Sequence, residues 1–455
     1  MEHLNRNLTE GNVARQLFSL TWPMLFGMLG MVIFNLVDTY FLGKLGVGPL
    51  AAIGFTFPVI MFLNGIAQGV GIGTSSLISR NVITADRKKM KTMASSALLL
   101  GLLLVVLFVA LGISTIRPLF TLLGAEGDIL DYIHDYMSVW YLGVPFVVLP
   151  MVGNNIVRAT GDTFTPGMLM VASAVINTIL DPLLIFGYGP FPELGIKGAA
   201  LATVIARSVS MVIILVILIK REKIVTVHPG SLKKIFEVWR KVFYIAGPAT
   251  LGLLITPLSL AVITKIVSSY GAEAVAAFGV ASRVEMFALM VISALGSVMI
   301  IFIGQNLSRN AFPRIFQALR YASRFSLMWG GLVLILLLLF GQFIASVFTK
   351  DAQVIAIARQ YFYIIGASYG FQGLVMLSTA AYNGLNKPYP SIIFIAIRTL
   401  GIFVPLAWLG SELLGLQGVM WAGCIANVTV GITSYNFLCK TVRRVRESHV
   451  KNLKK

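Results

Sequence analysis

Long apolar runs, separated by short polar or Gly/Pro-rich breaks, fill almost the whole chain. A helix needs ~20 apolar residues to cross the hydrocarbon core of a bilayer. The breaks delimit twelve such runs, at 13–42, 48–79, 92–116, 130–157, 164–187, 195–219, 240–269, 275–305, 315–348, 352–383, 390–410 and 416–439. Backbone groups cannot stay unpaired in lipid, so each run must be a helix or a strand of a closed barrel. The runs are too long and too continuously apolar for tilted barrel strands. The pattern predicts an all-α integral membrane protein with twelve transmembrane helices.

Composition agrees. Only 12% of the 455 residues are charged and 57% are hydrophobic, against about 25% charged in soluble domains. A chain with so little polar surface uses the lipid bilayer as solvent. The net charge of +18 would suggest nucleic acid in a soluble protein. Here it reads as orientation, and no nucleic acid is expected. With the N-terminus placed in the cytoplasm, most Lys and Arg, including Arg6 and those of the C-terminal tail, fall on that side. The opposite loops hold only Lys44, Arg117, Lys197 and Lys350. That asymmetry orients a multi-pass protein in the inner (cytoplasmic) membrane, and an even helix number puts both termini in the cytoplasm. The first residues are polar and the first run is a full span, so no cleavable signal peptide is expected. Cys424 and Cys439 imply no disulfide framework, and His3, His134, His228 and His449 form no metal cluster.

The chain also repeats itself. A shift of 225 residues brings Trp22-Pro23 onto Gly247-Pro248, Gly46 onto Gly271, Ala51–Gly54 onto Ala276–Gly279, and Asn81 onto Asn306. Slightly smaller shifts pair Gly161 with Gly384, Pro182-Leu183 with Pro405-Leu406, and Gly195–Gly198 with Gly415–Gly418. The period covers six helices, so both halves have one orientation, as in parallel-repeat transporters. The expected division is an N-terminal lobe at 1–222 (helices 1–6) and a C-terminal lobe at 223–455 (helices 7–12). The polar stretch 220–240 serves as linker.

Ionisable residues inside spans are costly and mark function by default. Asp38 stands in the outer part of the first run, with Met31 and Asn35 at helical spacing on its face. In the fifth run Asn177 lies four residues before Asp181, so the two share a face. Both acids lie about equally far from the glycine that follows them, Gly43 or Gly187. Their depths should therefore agree within about one turn, ~5 Å. Such oxygens can ligate a hard cation such as Na⁺. They can equally hold a proton, because burial and a like-charged neighbour favour a neutral carboxyl. Alternatively, each acid is interfacial or simply hydrogen-bonded. In the second half Ile263, Leu400 and Val404 occupy the matching positions, so the polar set belongs to the N-terminal lobe alone.

Pro23 interrupts the first helix and either hinges it, in response to the charge on Asp38, or kinks it permanently. Pro182 leaves the Thr178 carbonyl without its helical donor. Other signals are weaker. Gly69-Val70-Gly71-Ile72-Gly73 reads as close helix packing rather than a phosphate loop. Arg283 and Glu285 are expected to pair with each other or with Lys265, or else to meet substrate. Arg207 either snorkels to the surface or pairs with an acid. The 18 Met and 29 Phe face lipid or core, although Met-rich surfaces also suit varied apolar ligands.

Together Trp22-Pro23, Phe34–Thr39 with Gly43, Arg158-Ala159-Thr160-Gly161-Asp162, and Asn177 with Asp181-Pro182 resemble the multidrug and toxic compound extrusion (MATE) transporters. The resemblance covers essentially the whole chain and looks nearest to the DinF-like branch. It implies two lobes in a V around a central cavity, open to one side at a time. It implies export of lipophilic, often cationic drugs or toxic metabolites against H⁺ or Na⁺. It carries a cation site onto Asp38, Asn177 and Asp181, with Thr203 as a further ligand, and a drug contact onto Asn154 beside Met31 and Asn35. The acid that the NorM-like branch carries in its seventh helix is replaced here by Thr256. A monomer is expected, with no cofactor beyond the coupling ion.

The runner-up is a flippase for lipid-linked precursors from the same superfamily. Such proteins often carry a cationic cavity, whereas the most informative intramembrane charges here are acids. An enzyme would need a motif such as HExxH or a nucleophile set, which the sequence lacks. A channel would not need paired lobes with one asymmetric ionisable cluster.

Overall fold

The computed structural model describes residues 7–226 and 228–453. His3, Arg6, Lys454 and Lys455 lie outside the described residues. The twelve runs become twelve helices long and apolar enough to cross a membrane. These are α1 Val13–Lys44, α2 Val47–Ser79, α3 Arg87–Leu122, α4 Gly127–Ala159, α5 Phe164–Phe186 and α6 Ile196–Arg221. After them come α7 Leu232–Ser268, α8 Ala272–Ser308, α9 Phe312–Phe348, α10 Ala352–Gly384, α11 Pro388–Leu414 and α12 Leu416–Lys451.

Helix α9 shows how such a sequence solves packing in lipid. Its inward face carries Ala318, Ala322, Ser326, Gly330, Gly341 and Ala345, all buried. Several bulky side chains point out: Met328, Leu339 and Phe343 are each at least 69% exposed. Small residues let helix backbones approach, and lipid accepts the large apolar ones.

The linker is shorter than 220–240. Helix α6 continues to Arg221 and α7 begins at Leu232. Ile235, Val238 and Val242 are buried at three- and four-residue spacing, so this charged stretch is an amphipathic helix start. The Thr226 backbone N–H donates to Ser95 Oγ (2.9 Å) and the Trp239 indole to the Ser96 carbonyl (2.8 Å).

Two compact units form, and their boundary falls inside helices. The first is built chiefly from Trp22–Gly247, the second from Leu8–Thr21 and the chain from Pro248 onward. This differs from a division at 222/223 because the segment before Trp22 is latched to the second unit. The Arg314 guanidinium donates to the carbonyls of Gly11 (2.6 Å), Leu8 (3.0 Å) and Glu10 (3.1 Å) and to Gln16 Oε1 (2.8 Å). The start of α7, in turn, belongs to the first unit through Trp239. Both dividing points, beside Pro23 and at Pro248, are positions that the repeat had matched.

The repeat is visible in the backbone. Gly46 and Gly271 enter α2 and α8 at φ 121° and 104°, and Gly195 and Gly415 precede α6 and α12 at φ 55° and 62°. Residues with a Cβ rarely adopt these angles. Asn81 and Asn306 each donate an amide N–H to the carbonyl four residues back. One pairing shifts. Gly161 has φ 96° after α4, but the matching left-handed residue after α10 is Asn386 at φ 60°, not Gly384.

Gly198 and Gly418 recur for a steric reason. A Cβ on Gly198 would meet the Leu184 carbonyl, and one on Gly418 would meet the Gly410 carbonyl. Each glycine lets a helix pair touch backbone to backbone, so the obstacle cannot rotate away. Gly198→Val and Gly418→Val should each cost about 1–3 kcal/mol of stability. Thermal unfolding of purified protein in detergent would show this as a lowered midpoint for both variants.

Candidate functional site

In the first unit α1 and α5 run parallel and touch through glycines. Positions Gly27 and Gly30 of α1 abut Gly167 and Val171 of α5, and the Pro23 carbonyl also lies against Gly167. Carrying that register outward puts Asp38 level with Thr178 and Ile179, between Asn177 and Asp181. Helix α6 returns antiparallel. Ser210 Oγ donates to the Leu169 carbonyl (3.5 Å) and Ser173 Oγ to the Ala206 carbonyl (3.2 Å). A further four-residue step pairs Asn177 with Ala202, so Thr203 stands within one residue of that level. Three helices thus bring Asp38, Asn177, Asp181 and Thr203 to one depth.

The polar atoms there are poorly satisfied by the protein. Asn177 and Asp181 are fully buried and Thr203 is 7% exposed. Asn177 Nδ2 donates to Asp181 Oδ1 at 3.0 Å. Three buried oxygens remain without a hydrogen-bond partner: Asp38 Oδ1, Asn177 Oδ1 and Asp181 Oδ2. Asp38 and Asp181 are close enough to repel each other, and buried Tyr136 of α4 feels both. Buried unpaired oxygens cost free energy unless something donates to them or binds them. A set like this can be satisfied by a proton, which turns one carboxyl into a donor, or by a small hard cation, which binds the oxygens directly.

Among the other expected contacts, Met31 is half-buried and Asn35 is exposed on α1, while Asn154 of α4 is half-buried with its Oδ1 unpartnered. Arg207 pairs with no acid among the described residues. Its guanidinium lies 5.0 Å from the centre of the Phe34 ring, and its Nε has no partner.

The second unit holds a polar network that the sequence did not reveal. Glu285 does not pair with Arg283 or Lys265, contrary to expectation. Its Oε2 accepts from the Tyr361 hydroxyl and its Oε1 from Gln372 Nε2, both at 2.8 Å. Gln372 Oε1 in turn accepts from Asn427 Nδ2 (3.2 Å), which also donates to Ser368 Oγ (2.9 Å). Asn427 Oδ1 accepts from Arg398 Nη1 at 3.1 Å. Arg283 itself is exposed.

The motif at Arg158–Asp162 builds the turn between α4 and α5. Asp162 accepts from the Thr165 backbone N–H (3.0 Å) and hydroxyl (2.6 Å), and forms an ion pair with Arg221. Burial raises the Asp162 pKa, but the hydrogen bonds from Thr165 and Arg221 outweigh it and hold the carboxyl below the ordinary value of 3.8. The clasp's contribution is therefore complete above that value and is lost as pH falls through the folded one. Arg221 is 39% exposed, so the effect is small, below about 1 kcal/mol. Asp162→Asn should lower the thermal midpoint slightly at neutral pH, and the difference from wild type should close as pH falls through the carboxylate range.

Comparison with known proteins adds a second line of support. The MatE family model matches twice, at residues 23–183 and 248–409, one match for each copy of the internal repeat. An FAD transporter of Shewanella oneidensis is 39% identical over 439 residues, covering 96% of this chain and 97% of its own. The probable multidrug resistance protein YoeA of Bacillus subtilis is 28% identical over 421 residues, covering 90% of each chain. Among solved structures, the Vibrio cholerae MATE transporter VcmN in its bent form superposes with a TM-score of 0.91. It is 33% identical, covering 95% of this chain and 98% of its own.

Proposed function

Because this chain belongs to the MatE family of membrane transporters, we propose that it exports small organic molecules across the cytoplasmic membrane in exchange for H⁺ or Na⁺. The observation that carries the exchange reading is the set of three unpartnered buried oxygens on Asp38, Asn177 and Asp181. Ion binding there is the coupling event, with Thr203 as a further oxygen and buried Tyr136 within electrostatic reach of both carboxylates. Coupling requires the ion to bind the inward- and outward-open states with different affinity. Helices α1 and α7, each divided between the two units beside a proline, are the natural elements to bend with that change. Pro23 is the hinge nearest the site. Met31, Asn35 and Asn154 contribute to substrate contact, the working form is a monomer, and both termini are cytoplasmic.

Two substrate classes remain in view, each with its own support. Similarity to multidrug exporters favours lipophilic drugs or toxic metabolites. The higher identity to an FAD transporter favours a flavin nucleotide. The test is efflux from proteoliposomes under a pH gradient or a Na⁺ gradient, imposed one at a time. One gradient should drive export. Export that ignores both would overturn the exchange reading.

A further inference from the structure

Arg398 sits ten residues into α11, about 15 Å along a helix about 40 Å long, near mid-membrane. It lies in the π-helical segment Ile397–Phe403. Such widened turns inside a helix cluster at functional sites. An arginine at that depth is costly and normally finds an anionic partner. Among the described residues Arg398 makes no ion pair, and Nη1, bound to Asn427, is its only engaged nitrogen. The Nε is buried and unpartnered, and Nη2 makes no protein bond.

The acid that balances this charge, Glu285, is held at a distance by two amides. Every donor along the path points the same way: Arg398 to Asn427, Asn427 to Gln372, Gln372 to Glu285. The chain uses the Nη1 corner of the guanidinium and fixes its plane. The opposite edge, Nε with Nη2, is left open, and that edge is the fork that grips a phosphate or carboxylate with two parallel bonds. The side chain is half-buried with its Nε shielded, so an anion reaches the fork from the Nη2 end. A purely structural arginine would turn this fork toward Glu285.

We propose that the Nε/Nη2 edge of Arg398 is an anion subsite in the second unit, which receives the phosphate group of an exported organic phosphate. Glu285, Gln372 and Asn427 are positioning residues that orient the guanidinium. The inference rests on the reading of this chain as an exporter and narrows its substrate class.

The test measures binding of FAD and of riboflavin, which lacks phosphate, to the purified full-length protein by flavin fluorescence anisotropy. Wild type should bind FAD at least about tenfold more tightly than riboflavin. Arg398→Gln should remove that preference, weakening FAD about tenfold and leaving riboflavin within about twofold. Arg398→Lys, which keeps the charge but loses the fork, should retain only part of it. Equal affinities in wild type, an undiminished preference in Arg398→Gln, or equal loss of both flavins would each overturn the proposal. If the Gln variant does not fold, the wild-type ratio and the Lys variant decide on the same terms. Binding in detergent needs no ion gradient, so this outcome is independent of whether H⁺ or Na⁺ drives transport.

Discussion

Asp181→Asn ends uphill export while leaving the protein folded in the membrane. The substitution keeps the size of the side chain and its distance from Asn177, but removes the charge. In wild type, Asp181 Oδ2 and Asp38 Oδ1 are buried oxygens with no protein donor. In the proposed exchange, their occupation by an ion ties one conformation to the gradient. For one-for-one exchange, a hundredfold ion gradient can sustain at most about a hundredfold substrate gradient, about 2.8 kcal/mol. The Asn variant should equilibrate its substrate with no accumulation at all. Asp38→Asn should do the same, because the two acids act as one site across α1 and α5. Substrate accumulation in inverted vesicles, normalised to the amount of protein in the membrane, measures both variants.

The second large effect lies in the other unit. Glu285→Leu removes the acceptor for Tyr361 and Gln372 and the acid that, among the described residues, offsets the charge of Arg398. The change leaves the buried donors of Tyr361 and Gln372 unpaired, at about 1–3 kcal/mol each. Glu285→Gln keeps the shape and one acceptor oxygen, so it should cost about 1–3 kcal/mol. Thermal unfolding of the purified protein should therefore rank wild type above Gln and Gln above Leu. The protein that survives in the Gln variant should retain its dependence on the ion gradient, since the proposed ion site lies in the first unit.

The fold was legible in the sequence because lipid leaves few choices. Twelve runs of sufficient length and hydropathy could only become helices; α7 began eight residues earlier and α12 ran twelve further, while every other end moved by six residues or fewer. The common depth of Asp38 and Asp181 was legible too, because both spans end on a glycine about as far away. Tyr136 was not. It is one of 14 tyrosines, and nothing in its neighbourhood says that α4 brings it within electrostatic reach of two acids. The Glu285 network was hidden for a different reason. Its members sit on α8, α10, α11 and α12, and uncharged Gln372 and Asn427 barely dent the hydropathy of their spans. The expected Arg283–Glu285 pair fails on geometry, since residues two apart point away from each other on a helix. The early start of α7 was missed by weighing polarity over period. Lys233, Lys234, Arg240 and Lys241 suggested a loop, while Ile235, Val238 and Val242 already traced a helical stripe. The Gly161–Gly384 match went astray because identity was followed where backbone conformation was the quantity repeated.

The account's central claim is that the N-terminal ion site couples substrate export to the ion gradient. Its most direct test is flux reversal in proteoliposomes. The driving ion gradient is imposed first in one direction and then in the other, with wild type and with the Asp38→Asn, Asp181→Asn double variant. The account predicts that wild-type substrate flux changes direction with the gradient and that the double variant responds to neither. Gradient-driven flux of undiminished size in the double variant would contradict it.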